Sequence, residues 1–298
     1  MTKAASGWLN GLIGVVIFSG SMPATRAAVL DLDPVFVTMA RAAIAGVLAV
    51  AMLVYFREKR PSRADFRPLL ITAGGVVVGF PLLSALALRH VTSAHSLVFI
   101  GLLPLSTAVF AVLRGGERPQ APFWLFSGLG SLCVGGFAVV QGLSASFLGD
   151  GLLLASVVVC GLGYAEGARL SRTLGGWQVI CWALVIALPV TLPASLVLLP
   201  SAGQPTIPSL AGLAYVSIFS MLIGFIFWYR GLSQGGIAAV GQLQLLQPFF
   251  GLLLAAVLLH EAVSASMLLV MVAVVACVAG ARAFAHRRIG LPSARQSA

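Results

Sequence analysis

The sequence predicts an all-α integral membrane protein, with ten transmembrane helices built as two inverted five-helix repeats. Three observations carry that prediction. The chain is 59% hydrophobic and only 9% charged, with a mean hydropathy of +1.04, which leaves too little polar surface to cover a water-soluble globule of 298 residues. It divides into about ten apolar runs, each close to the 20 or so residues that a helix needs to cross a bilayer. Its second half also repeats the first at an offset of about 143 to 144 residues.

The first run, 7–28, follows Lys3 and reads as a retained helix. It continues into SGSMPATRAAV, unlike a cleaved leader, and it has a counterpart later in the chain. The remaining runs of the first half fall near 34–56, 68–88, 93–113 and 121–141; those of the second fall near 151–170, 177–199, 209–230, 236–258 and 264–284. Unbroken apolar character excludes barrel strands, which alternate over about ten residues. The expected units are 7–146, 147–286 and a basic tail over 287–298.

Five crossings are an odd number, so the second unit enters the membrane from the opposite side. The charges agree. With a cytoplasmic N-terminus, fifteen of the eighteen basic residues fall on one side, leaving Arg26, Arg41 and Arg89. Asp31, Asp33 and Asp150 fall on the outer connections. The net charge of +10 therefore reports orientation by the positive-inside rule and not a nucleic-acid partner. Both termini are expected in the cytoplasm and the chain in the cell inner (plasma) membrane.

The repeat is specific in detail. Gly20 falls on Gly163 and Arg26 on Arg169. GLLPLSTAVFAVLRGGE (101–117) lies over LLQPFFGLLLAAVLLHE (245–261), with Pro104 on Pro248 and Glu117 on Glu261. Two similar units of opposite orientation can exchange conformations around one midplane site, which is the architecture of a carrier. On these residues the chain resembles the drug/metabolite transporter superfamily with its paired EamA domains, over about residues 7 to 285. Within it the chain looks most like the YddG-type exporters of aromatic amino acids. The resemblance implies a central cavity formed by the first four helices of each repeat, with the fifth peripheral.

Features shared by both repeats read as scaffold, and polar groups present in one repeat need another reason. Arg41 opposes Leu184, His95 opposes Ala239, Gln244 opposes Ile100, Gln247 opposes Leu103 and Glu166 opposes Pro23. A buried amide or charge without compensation costs several kcal/mol, so these side chains are expected to face a partner or a wet cavity. Gln244 and Gln247 share one helical face, while Gln242 lies about 200° around from Gln244 and is expected to serve a different neighbour. Glu166 precedes Arg169 by three residues and is expected to pair with it.

The candidate substrate-binding residues are Arg41, Phe80, His95, Phe99, Tyr164, Trp182, Gln244 and Gln247, with Phe225 and Trp228 as further aromatic lining. Amides, an imidazole, hydroxyls and aromatics suit a neutral amphiphile such as an aromatic or other hydrophobic amino acid, with small drug-like compounds as the alternative. A nucleotide-sugar or sugar-phosphate carrier would need more deep basic groups than Arg41 alone. No enzyme is expected, because the histidines are scattered and no two acids share a helical face within a span. A channel is the other transport alternative. The four cysteines show no CxxC spacing, and no cofactor or metal is expected. The expected partners are a small-molecule substrate and the lipid bilayer, with no nucleic acid, and the chain is expected to act as a monomer.

Overall fold

The computed structural model describes residues 3–87, 89–91, 99–140, 146–200, 205–247, 249–251 and 265–285. Among them all regular structure is helical and there are no strands. Six helical stretches among the described residues are long and apolar enough to cross a membrane: Ala4–Val29, Pro34–Tyr55, Arg63–Ala87, Phe147–Leu170, Gly176–Val197 and Ile207–Gly235. Shorter apolar helices cover Leu103–Leu113, Ala121–Cys133 and Val272–Phe284. Val54, Leu132, Leu269 and Val272 are well exposed. In water such a surface would be an aggregation hazard; in lipid it is the outer wall of the bundle.

Local chemistry sets the helix starts. Asp33 caps α3 (Pro34–Tyr55), its Oδ1 accepting from the amides of Val35 and Phe36 at 2.8 and 3.2 Å, with Pro34 in the first turn. Asp65 accepts from the Ser62 amide at 3.0 Å and hydroxyl at 2.6 Å, so α4 (Arg63–Thr72) begins five residues before the apolar run expected at 68. Apolarity marks the hydrocarbon and the cap marks the helix, which projects beyond it. Ser146 accepts from the Gly149 amide at 3.2 Å and starts α8 (Phe147–Leu170).

The expected single helix 7–28 is two, α1 (Lys3–Ser19) and α2 (Ser21–Val29), broken at Gly20. A side chain at Gly20 would strike the Tyr215 ring. The Tyr215 hydroxyl donates to the Ile17 carbonyl at 2.8 Å and so satisfies an acceptor near the break. Two other spans carry π-helical segments. Ala73–Gly79 separates α4 from α5 (Phe80–Ala87), and Val216–Ile223 separates α10 (Ile207–Tyr215) from α11 (Gly224–Gly235). In each, an amide reaches back five residues, Phe80 to the Gly75 carbonyl and Gly224 to that of Phe219. The segments start 143 residues apart.

Gly236, with φ of +92°, makes the turn into α12 (Ile237–Gly241). A left-handed conformation at this place needs glycine. A tight 3₁₀ stretch, Gln242–Leu246, follows. The expected scaffold residues Pro248 and Glu261 lie outside the described residues.

In the packing, α1 lies along α11, α3 along α9 (Gly176–Val197), and α7 (Ala121–Val140) along α13 (Ala265–Phe284). Helix α8 lies against the third span, Arg63–Ala87, and α6 (Leu103–Leu113). Small residues allow the close crossings. A Cβ on Gly7 would lie 2.5 Å from the Gly235 amide nitrogen, and one on Gly231 2.6 Å from that of Gly11. Gly75 and Gly163 make the matching approach between the third span and α8, where a Cβ on Gly75 would lie 3.0 Å from the Gly163 Cα.

Candidate functional site

The central cavity draws on seven of the expected spans. Phe18, Ser21 and Thr25 come from α1 and α2, Val37, Thr38 and Arg41 from α3, and Val76, Phe80, Pro81, Ser84 and Ala85 from the third span. Ile100, Leu103, Tyr164, Ser220, Phe225 and Gln247 complete the lining. It leaves about 60 Å³ for the centres of water-sized molecules, several times what one buried water needs.

Arg41 is the only charged side chain among these lining residues. It is 9% exposed and lies within α3. Its Nη2 donates to the Ser220 hydroxyl at 3.2 Å, while its enclosed Nε has no partner among the described residues. Ser21 donates to the same Ser220 oxygen at 2.8 Å. Thr38 and Ser84 donate to carbonyls of their own helices, at 2.8 Å to Pro34 and 2.6 Å to Phe80.

Aromatic rings form a cup around the cavity. Phe18 meets Phe225 edge-on at 5.0 Å, and Tyr164 lies 6.0 Å from Phe225 and 5.5 Å from Trp228. Gln244 donates from Nε2 to the Tyr164 hydroxyl at 3.2 Å, so it stands behind the cup and does not line it. Gln247 lines the cavity and donates to the Phe18 carbonyl at 3.4 Å.

Of the residues singled out in the sequence, Arg41, Phe80, Tyr164 and Gln247 share this cavity, and Gln244 reaches it through Tyr164. Phe99 and Trp182 pack against the apolar core and are not in the lining. His95 lies outside the described residues. Gln242 does not have the neighbour expected for it: it is fully buried and neither amide atom has a partner among the described residues. Sequence reasoning expected hydroxyls in the site but did not single out those that line it, Ser220 above all. Its signal is weak, because serines are frequent in close-packed membrane helices for reasons of size.

At the end of the bundle where α6 and α8 finish and α12 begins, two carboxylates gather the charges. Glu166 is completely buried and pairs with Arg114 and, at 2.9 Å, with the expected Arg169. Arg114 comes from a distant part of the sequence and was not foreseen. Glu117 accepts from the amides of Ile237 and Ala238 at 2.7 and 2.8 Å, and from Arg172 at 3.1 Å. It thus caps α12 and ties it to the end of α8. At the opposite end Asp31 accepts from the Thr206 amide at 2.9 Å and hydroxyl at 2.6 Å. These bonds, the hydroxyl's first, hold the Asp31 carboxyl below its ordinary value. Asp33 faces Arg89 at 3.6 Å.

The description of the EamA-like transporter family matches residues 5–139 and again 147–282. The chain belongs to the EamA-like transporter family. This EamA-like chain is accordingly a multi-pass membrane protein of a transport family. It is 65% identical over 286 residues to YdeK of Bacillus subtilis (strain 168), an uncharacterized transporter, with 96% of this chain and all of that one covered. YvbV, an uncharacterized transporter of the same bacterium, is 22% identical over 85% of this chain and 84% of its own length. A solved crystal structure superposes with a TM-score of 0.78 at 19% identity, covering 94% of this chain and 98% of that one; at that identity the likeness speaks for the EamA-like fold alone.

Proposed function

We propose that the protein is a secondary transporter of small amphiphilic metabolites, above all aromatic and other hydrophobic amino acids, and that it works by alternating access as an exporter. The observation that carries this reading is the cavity itself. It is a water-accessible site enclosed by aromatic rings and hydroxyls, with one guanidinium among apolar walls. Such a lining offers an apolar side chain a dry surface and its polar head a few fixed donors.

The reading includes two inverted five-helix repeats in a monomer, 7–146 and 147–286, and both termini in the cytoplasm. Support comes from the two family-matched stretches, from the two π-segments 143 residues apart, and from the helix pairs. Shifting every helix by one repeat exchanges the α1–α11 crossing with that of α8 on the third span and returns the α3–α9 and α7–α13 pairs to themselves. In this arrangement the Glu117 and Glu166 clusters lie at the cytoplasmic end and the Asp31 tether at the outer end.

Proteoliposomes of the purified protein, preloaded with unlabelled phenylalanine, should accumulate labelled phenylalanine by counterflow, and saturably. Flux that grows linearly with concentration and shows no counterflow would replace the carrier with a pore. In a cysteine-free background, Cys at Phe147 should react with an impermeant thiol reagent in whole cells and Cys at Ser62 should not; the reverse pattern inverts the orientation.

A further inference from the structure

We propose that the cavity recognises its ligand by a carboxylate and does not require an amine, so that apolar monocarboxylates are ligands in their own right. The inference rests on the transporter reading above and deepens it by naming the obligatory group. A guanidinium within a membrane helix is costly unless water or an anion attends it. Arg41 has one protein partner, the Ser220 hydroxyl, and no carboxylate lies within ion-pair distance among the described residues. Its fork of donors is the geometry that matches a carboxylate.

Ser220 supplies a second donor at the same place. Its oxygen accepts from both Arg41 and Ser21, which uses both lone pairs and leaves its own proton free to be donated. The guanidinium and this hydroxyl therefore converge on the wet space. An ammonium finds no matching group: no lining residue among those described carries a carboxylate, and Arg41 repels a second positive charge in so small a volume. The remaining walls, Phe18, Phe80, Tyr164 and Phe225, take an apolar body. One cation fits one negative charge, which excludes polyanions. Aromatic faces can hold an ammonium by cation–π attraction, so the amine needs its own arm in the test.

Direct binding to the full-length purified protein should be measured with four probes of one shape: phenylalanine, 3-phenylpropionate, 3-phenylpropionamide and phenethylamine. The acid should bind at least as tightly as phenylalanine. The amide and the amine should bind roughly 10- to 150-fold more weakly, the range for losing a hydrogen bond to a charged group. Arg41→Gln should weaken the acid by a similar factor and leave the amide unchanged, while Arg41→Lys keeps part of the acid's advantage. Should Arg41→Gln fail to fold, the ranking on the unaltered protein decides alone. Amide or amine binding as tight as the acid overturns the proposal, and so does an Arg41→Gln variant with the ranking intact. Phenylalanine binding without the acid overturns it and spares the amino-acid reading. The acid binding without phenylalanine does the reverse, and binding by none of the four overturns both.

Discussion

Removal of the Glu117 side chain tests how the end of the bundle at α12 is held. Glu117→Ala deprives the Ile237 and Ala238 amides of their acceptors, at 2.7 and 2.8 Å, and breaks the 3.1 Å pair with Arg172. A lost helix cap costs about 0.5 to 2 kcal/mol where water can substitute. Here Ile237 and Ala238 are fully buried, so the cost of unsatisfied buried donors applies, about 1 to 3 kcal/mol each. The Arg172 side chain is 41% exposed, so that pair adds at most about 1 kcal/mol. The expected loss is about 2 to 7 kcal/mol, with roughly half recovered in Glu117→Gln, which keeps one acceptor oxygen. Equilibrium unfolding in mixed micelles of the two single variants, Arg172→Ala and the Glu117→Ala/Arg172→Ala double variant should give a coupling energy below about 1 kcal/mol. The cap reasoning fails if Glu117→Ala lies within about 0.5 kcal/mol of the parent, the range of an ordinary surface change. It also fails if the coupling accounts for most of the loss.

Glu166→Gln should cost less than the 3 to 5 kcal/mol or so usual for a broken buried pair, because Arg114 and Arg169 are 45% and 44% exposed and can turn to water. Counterflow should persist in that variant; loss of gradient-driven uptake with exchange intact would give Glu166 a proton-coupling role. Gln247→Leu should weaken apparent substrate affinity by roughly 2- to 13-fold, the worth of one neutral hydrogen bond. Gln242→Leu, which removes two unpartnered buried amide atoms, should leave affinity unchanged and hold or raise the melting temperature, and a large drop would reveal a partner. The depressed Asp31 carboxyl contributes stability above its unfolded value of about 3.9 and loses it as pH falls through the lower folded value. The melting temperature should therefore decline on acidification below about pH 4, and Asp31→Asn should flatten that part of the curve; an equal slope in both removes the tether.

What the sequence revealed depended on how local the signal was. Apolar runs of bilayer length placed the six long spans, since hydrocarbon imposes length and composition directly. Arg41 stood out for a related reason: a cation inside a span has to be explained by whatever it faces. The break at Gly20 was not legible, because it depends on the ring of Tyr215, 195 residues away. Arg114 reaches Glu166 by tertiary packing, and no spacing rule joins them. Gln244 and Gln247 were assigned to one face, and the tighter winding from Gln242 to Leu246 keeps residues three apart aligned; that Gln247 meets the cavity while Gln244 bonds the Tyr164 hydroxyl depends on neighbours from other helices, which no spacing rule supplies.

The π-segment in the eighth expected span changes the helical phase beyond it. On a uniform α-helix, residues five apart are displaced by about 140° around the axis. Ser220 and Phe225 are five apart, and both meet the cavity, because the wider turn between Val216 and Ile223 stacks residues at that spacing. A helical wheel drawn with constant steps would put one of the two in the cavity and the other among neighbouring helices. Deleting one residue from this segment would restore an ordinary helix and swing Phe225, Trp228 and Tyr229 away by about 100°, with every atom of the ring cup still present in the chain but aimed elsewhere. The extra residue per turn therefore acts as a fixed rotation that brings the hydroxyl donor and the aromatic wall to one side.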